Sequence, residues 1–220
     1  MDFVDVCPPA VVARVQAEDL SAEGAQGLFS WIGDTATAAC RLKAPVAIAA
    51  RMDADSHPGV VRAFSAAVSS NARFLPPDAL DPLAGAFRRV RIDAEGAAGY
   101  FGALRATGID LRDHLRGRVP EDWSFADPYS GATTWHYHLY LASLQEPGAL
   151  DALADKIART ESGNAVSLLL QSLDQLGGAE VTEVLRRYLG DERREEGMTG
   201  PGSTVGATVE VLLQIRALRG

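Results

Sequence analysis

The strongest constraint on this chain is a repeated apolar stripe in its second half. Leu150, Leu153, Ala154, Ile157 and Ala158 stand at i, i+3, i+4, i+7 and i+8, and Val181, Val184, Leu185, Tyr188 and Leu189 repeat that spacing 31 positions later. Each set makes one apolar face of a helix. Their partners repeat too: "HYHLYLASL" ends at Leu144, "VSLLLQSLDQL" at Leu176 and "VEVLLQIRAL" at Leu218. The second of these intervals is longer, by the length of the charged, glycine-rich insertion "GDERREEGMTGPGS" at 190 to 203. A period of this size implies stacked supersecondary units, none of which can bury its apolar face alone. The order is helix, short turn, helix, with "EPG" and "GG" as turns and Asn164 and Ser203 as expected caps.

The first half carries helix punctuation without the same regularity. Pro8 and Pro9 open a helix, Ser21 caps another bearing Leu28, Trp31 and Ile32, and Asp34 caps a third that Pro45 interrupts or ends. Two alanine- and valine-rich segments, Val46 to Met52 and Pro58 to Ser70, read as a helical hairpin. Its turn, "MDADSHPG", alternates Asp53, Asp55 and His57, but an EF-hand begun there needs glycine where Pro58 stands and an acid where Phe64 stands. Capping by Asp55 or Ser56 is expected instead. Asp93 caps and Gly108 stops a later helix, in which Gly96, Gly99 and Gly102 lower helix propensity but leave room for a close neighbour. Strand and hairpin signals are scarce, so the class is all-α. One helical domain is expected over 1–220, with less regular helices over 8–115, a connecting loop at 116–132 and the clearest repeats over 133–219.

The degenerate spacing of aliphatics in 133–219 resembles HEAT-like repeats, in particular the short form of phycobilisome-lyase-type HEAT proteins. That resemblance implies an α-solenoid of stacked antiparallel helix pairs. It implies a fold and no particular activity.

"TTWHYHLYL", Thr133 to Leu141, sets His136 and His138 one residue apart. On a strand they share a face and can ligate one metal; on a helix they diverge by about 200 degrees and cannot. Helical placement puts Trp135, Leu139 and Ala142 on one face and Tyr137, Tyr140, Leu141 and Leu144 on the other, as a helix stacked between two neighbours requires. The helical reading prevails, and no metal site or cofactor is expected.

Charge and cysteine usage narrow the function. The net charge of −8 repels a phosphate backbone, and the clusters Arg88, Arg89, Arg91 and Arg112, Arg116, Arg118 are interrupted by Asp93, Asp110 and Asp113, so they read as solvated surface. Nucleic acid is not an expected partner. Cys7 and Cys40 are spaced unlike a CxxC motif and read as small core residues, with a reducing cytoplasm as the expected compartment. No stretch has the length of a membrane span. No GxSxG is present, and His57, His114, His136 and His138 form no ordered triad, so no catalytic residue is assigned. What remains is a recognition surface: Trp123, Phe125, Asp127, Tyr129, Trp135, His136, His138 and Tyr140 crowd aromatics beside acids. The expected function is a non-catalytic protein-interaction module whose partner is another protein, a basic one suiting the acidic surface. The alternative that the resemblance implies is a HEAT-like enzyme, a bilin lyase or an alkylpurine DNA glycosylase.

Overall fold

The computed structural model describes residues 3–16, 38–93, 96–119, 132–195 and 204–219. All regular elements among them are helical, and the one backbone bridge, Arg194 with Thr204, is isolated. The chain divides into two compact units, residues 1–119 and 120–220.

The first unit contains α1 (Phe3–Val6), α2 (Pro9–Gln16), α3 (Ala38–Ala49), α4 (Pro58–Asn71), α5 (Leu80–Arg89), α6 (Ala97–Thr107) and α7 (Arg112–Leu115), with 3-10 turns at Ala72–Phe74 and Pro77–Ala79. The cap at Ser21 and its apolar residues lie outside the described residues. Pro45 was expected to break the third helix, yet α3 runs through it. An internal proline costs about 3 kcal/mol, and burial of Cys40, Ala44, Ile48 and Ala49 on the same helix outweighs it. The following helix is capped by His57, whose Nδ1 accepts from the Gly59 amide at 3.1 Å, and not by Asp55 or Ser56. Asp53 instead folds the turn, accepting from the Asp55 amide and the Ser56 hydroxyl.

α4 and α6 pack against each other along most of their lengths. A Cβ on Gly99 would stand 3.6 Å from that of Ser65, an ordinary contact, and one on Gly102 would meet open space, so the packing of α4 on α6 requires neither glycine; a Cβ on Gly96 would fall 2.7 Å from the Asp93 carboxylate. The Ser65 hydroxyl is buried there with no partner among the described residues. Around this seam Phe64, Phe87, Tyr100 and Phe101 form a chain of rings 5.0 to 5.4 Å apart, and the Tyr100 hydroxyl donates to the Phe87 carbonyl. Gly108 stops α6 at φ 68° as expected, but the N-cap is Gly96 and not Asp93, whose carboxylate accepts from the Gly96 amide just ahead of the helix.

Cys7 and Cys40 form a disulfide tying the start of α2 to α3, which corrects the reading of them as independent core residues. Sequence distance was the misleading cue, because the fold of α1 and α2 onto α3 brings their Cα atoms to 4.8 Å. Disulfides persist in oxidising compartments and are rare in the cytosol, so this pairing stands against the reducing cytoplasm expected above. Intact mass under non-reducing conditions will show both thiols oxidised. Reduction will lower stability by about 3 to 4 kcal/mol on loop-closure grounds, read as a fall in the denaturation midpoint.

The second unit contains α8 (Ala132–Ser143), α9 (Ala149–Arg159), α10 (Gly163–Asp174), α11 (Ala179–Arg186) and α12 (Val205–Arg219). α8 packs on α9 and α10, α10 on α11 and α12, and α11 on α9 and α12. The repeated stripes face one core: Leu153, Ala154 and Ile157 from α9 meet Val181, Val184 and Leu185 from α11. The fifth position of each stripe, Ala158 and Leu189, is exposed in both copies. Ser162 caps α10 in place of Asn164, its hydroxyl accepting from the Ala165 amide, and Ser203 lies outside the described residues. Thr204 caps the last helix, accepting from the Ala207 amide.

The charged insertion begins as an ordered clasp. The Asp191 carboxylate accepts from the Arg193 guanidinium and backbone amide, and Arg193 also donates to the Ile157 and Thr160 carbonyls at the end of α9. The Glu195 carboxylate accepts from the hydroxyls of buried Ser167 and of Thr208. A Cβ on Gly163 would fall 2.1 Å from the Arg194 carbonyl oxygen, and one on Gly206 2.6 Å from that of Leu189, so only glycine admits this segment across the starts of α10 and α12.

At the other end Arg216 donates to the Asp174 carboxylate at 2.7 Å, to the Asp174 and Gly178 carbonyls, and to the Thr182 hydroxyl. The Asp174 side chain is 8% exposed and that of Arg216 15%. Arg216→Met leaves a buried carboxylate unpaired and will destabilise the chain by about 3 to 5 kcal/mol. Arg216→Lys will recover only a minor part, because an ammonium cannot reproduce the fork. Chemical denaturation of the three proteins measures both.

Candidate functional site

Two turns of like construction border a groove in the second unit. Between α8 and α9 the Gln145 amide donates to the Ala142 carbonyl and the Glu146 amide to that of Leu141, which together close α8 in a Schellman motif. Gln145 occupies the left-handed position at φ 57°, the sole non-glycine residue to do so among the described residues. Gly148 at φ 79° then starts α9. Between α10 and α11 the corresponding work falls to Gly177 at φ 73° and Gly178 at φ 82°.

Because α9 and α11 pack side by side, these turns flank a groove of about 940 Å³. Leu150, Leu176 and Val181 give it apolar surface. Its charge is one-sided: Glu146, Asp151, Glu180 and Glu183 line it against the single cation Arg187. Glu183 is neutralised by Arg186 one turn on, at 2.5 Å. Asp151 and Glu180 are exposed and carry no ion pair among the described residues. The groove therefore presents uncompensated negative charge beside apolar surface, a combination suited to a cationic group on an aliphatic stem.

The charge of the chain is distributed to match. Residues 1–119 carry 13 Lys and Arg against 14 Asp and Glu, while residues 120–220 carry 8 against 15. Nearly all of the net −8 thus belongs to the unit that holds the groove.

The eight residues read from the sequence fall elsewhere. Trp123, Phe125, Asp127 and Tyr129 lie outside the described residues. Trp135 is 5% exposed in the core of the second unit, and Tyr140 is completely buried. His136 and His138 are partly exposed on α8, where helical geometry turns them apart. The His136 ring stacks on Trp135 at 5.0 Å, and the His138 ring meets Tyr137 edge-on at 5.9 Å. None of these four lines the groove, which takes only Ala142 and Ser143 from α8. Among the described residues no cluster of three His, Cys, Asp or Glu side chains could hold a metal ion, and no helix is long and apolar enough to cross a membrane.

Sequence reading missed the groove because its acids come from one turn and two helices spread over 146 to 183, with no local spacing to join them. The usable signal was the repeat itself, which aligns "EPG" with "GG" and so places the acids after each turn on neighbouring helices. Comparison with protein families, with curated proteins and with solved structures gives no match. The class that the geometry defines is an all-α chain with a helical groove in its second unit.

Gln145 supplies a test of this local geometry. Gln145→Gly removes the cost of a side chain at positive φ and will stabilise the protein by about 0.5 to 1 kcal/mol, seen as a higher midpoint in urea with an unchanged slope.

Proposed function

We propose that this chain is a non-catalytic protein-interaction module, a HEAT-like array of antiparallel helix pairs over 133–219 that takes a basic segment of another protein into the α9–α11 groove. The observation that carries the reading is the groove's four carboxylates against one arginine beside Leu150, Leu176 and Val181. The layered packing of α8, α10 and α12, with α9 and α11 beside them, supports the array. The excess of acids in residues 120–220 supports a cationic partner, since such a field steers a basic segment toward the unit that binds it. Rim charges of this kind act mainly on association rate and salt dependence. The segment from Trp123 to Tyr129, with His136 and His138, belongs to the proposal as a second contact surface on its aromatic and acidic composition.

The groove reading is tested with Asp151→Lys and Glu180→Lys combined, two exposed positions whose reversal leaves the core untouched. Binding of lysine- and arginine-rich peptides from an arrayed library should weaken by about tenfold or more, and the salt dependence of the residual binding should flatten. Peptide binding that is indifferent to the reversal would exclude the groove. Trp123→Ala with Tyr129→Ala tests the aromatic segment separately. Base excision or bilin transfer by the intact protein would replace the module with the enzyme alternative.

A further inference from the structure

The large apolar side chains that the fold leaves in water are not scattered evenly. Leu168 is 47% exposed, Val211 53% and Leu218 88%, and all three lie on α10 and α12; Phe74 and Leu189 are the others among the described residues. On α12 Val211, Ile215 and Leu218 stand at i, i+4 and i+7, one stripe along the helix. Leu168, Ser172 and Gln175 repeat that spacing along α10 and its C-cap. The opposite side of α12 is already covered, with Val205 and Val209 buried and Leu212 and Leu213 packed partly against the core. A helix that is apolar on two opposite sides is built to be covered on both, and here only one is.

Two polar ties fix how the stripes lie. Glu195 accepts from the hydroxyls of Ser167 and Thr208, near the starts of α10 and α12, and Arg216 donates to Asp174 near their ends. The two helices therefore run parallel along a shared seam. At about 100° per residue, Val166, Leu170 and Leu173 of α10 fall on one side of that seam, together with Val205 and Val209 of α12, where they join the core. Both stripes fall on the other side, so α10 and α12 present one continuous outer face.

That face lacks charge where the rest of its unit is rich in it. Residues 120–220 carry 15 Asp and Glu against 8 Lys and Arg, yet neither stripe contains a charged residue. The one acid of α10, Asp174, is buried in its pair with Arg216. The Ser172 hydroxyl donates to the Leu168 carbonyl at 2.9 Å, so covering it strands no donor. Depletion of charge around apolar side chains is the composition of an interface core. A basic segment finds no acid on these stripes, and an anionic membrane finds no cation. A second copy of the chain fits: an isologous interface sets the same patch on both sides. On an acidic unit, an uncharged patch is where two copies meet without like charges facing each other.

The size of the face sets the strength. Helices of 12 and 15 residues, lying side by side about 8 to 10 Å apart, give a face of roughly 20 by 20 Å. That is on the order of 400 Å² per copy, below the ~800 Å² of a standard stable interface, and it suits a dimer that dissociates at micromolar concentration.

We propose that the outer face of α10 and α12, with Leu168, Val211, Ile215 and Leu218 at its centre, is a self-association surface on which two copies pack about a two-fold axis. None of these residues lines the α9–α11 groove, so the dimer forms whether or not the groove takes a basic segment.

Sedimentation of the full, disulfide-intact chain from about 1 to 500 μM is expected to show a reversible monomer–dimer equilibrium. Association should tighten as salt is raised, because salt screens the repulsion between two chains of net charge −8. Leu168→Gln, Val211→Gln and Leu218→Gln combined remove apolar area at exposed positions without changing the charge, and should weaken association by about tenfold or more. Leu218→Gln alone, at the most exposed position, should weaken it by about threefold and carries the test if the triple variant melts early. Leu218→Met keeps the apolar area and should dimerise as wild type does. A chain that stays monomeric over the whole range overturns the proposal, as does a dimer that the glutamine variants leave intact. A dimer that weakens with salt and is lost in Asp151→Lys with Glu180→Lys also overturns it, since that is charge pairing through the groove. Binding of a monomeric chain to neutral phosphatidylcholine vesicles, abolished by the glutamine substitutions, overturns it by assigning the face to a lipid surface.

Discussion

Four of the described helices are closed at their C-terminal ends by arginines from far along the chain. Arg51 donates to the Val15 carbonyl at the end of α2, and Arg89 to the Ala49 and Met52 carbonyls at the end of α3. Arg193 does the same for α9 through Ile157 and Thr160, and Arg216 for α10 through Asp174 and Gly178. The donor lies 33 to 42 residues beyond the carbonyl in every case. A helix of 8 to 12 residues, the span of these four, is marginal alone and ends in unsatisfied carbonyls with partial negative charge. A guanidinium has five donors and cannot lose its charge, so one side chain can serve two carbonyls and still reach a third group. The separation spans roughly one helix pair, which makes each tie a link between successive units of the fold.

The ties differ between the two units in a way that charge explains. Arg193 and Arg216 each add a carboxylate, Asp191 and Asp174, where their side chains are largely withdrawn from water. The Arg193 bonds hold the Asp191 carboxylate below the ordinary aspartate value of 3.8. Its contribution is therefore complete above that value and is lost as the pH falls below it. Such a pair costs desolvation and is retained only if its lone pairs and protons are satisfied, as the additional carbonyl bonds here ensure. In a region whose acids outnumber its bases, pairing these two aspartates also removes repulsion that the short, close-packed helices would otherwise meet.

Much of this fold was legible in local pattern, because helix stripes and stop signals act over a turn or two. The stripes at 150–158 and 181–189 became α9 and α11 facing one core, and the crowded "TTWHYHLYL" became a helix whose histidines diverge. Features that rest on distant partners were not legible. The Cys7–Cys40 bond joins residues 33 apart, and no spacing rule distinguishes that pair from two buried thiols. Arg89 reads as solvent-facing charge because exposed and carbonyl-bound arginines look identical in sequence. The caps shifted by one or two positions, from Ser56 to His57 and from Asn164 to Ser162, because several residues in each turn can accept and only the backbone course selects one. The groove was hidden for a related reason: its acids become neighbours only after two helices of the repeat lie side by side.

The insertion at 190–203 shows how a repeat can lengthen without losing its packing. Its first residues do not loop away from the helices; they cross the starts of α10 and α12 at distances that only Gly163 and Gly206 allow. Arg193 fixes the segment to the end of α9, and Glu195 fixes it to Ser167 and Thr208 on those two helices. Five described positions, 191 to 195, thereby touch the end of one helix and the beginnings of two others. The extra length between Leu176 and Leu218 is thus accommodated by a clasp that satisfies polar ends, leaving the apolar stripes of α10 and α12 free to meet. Loss of either glycine would displace the clasp at both of its anchors, so the insertion and the two glycines constrain one another and must be considered as one structural unit.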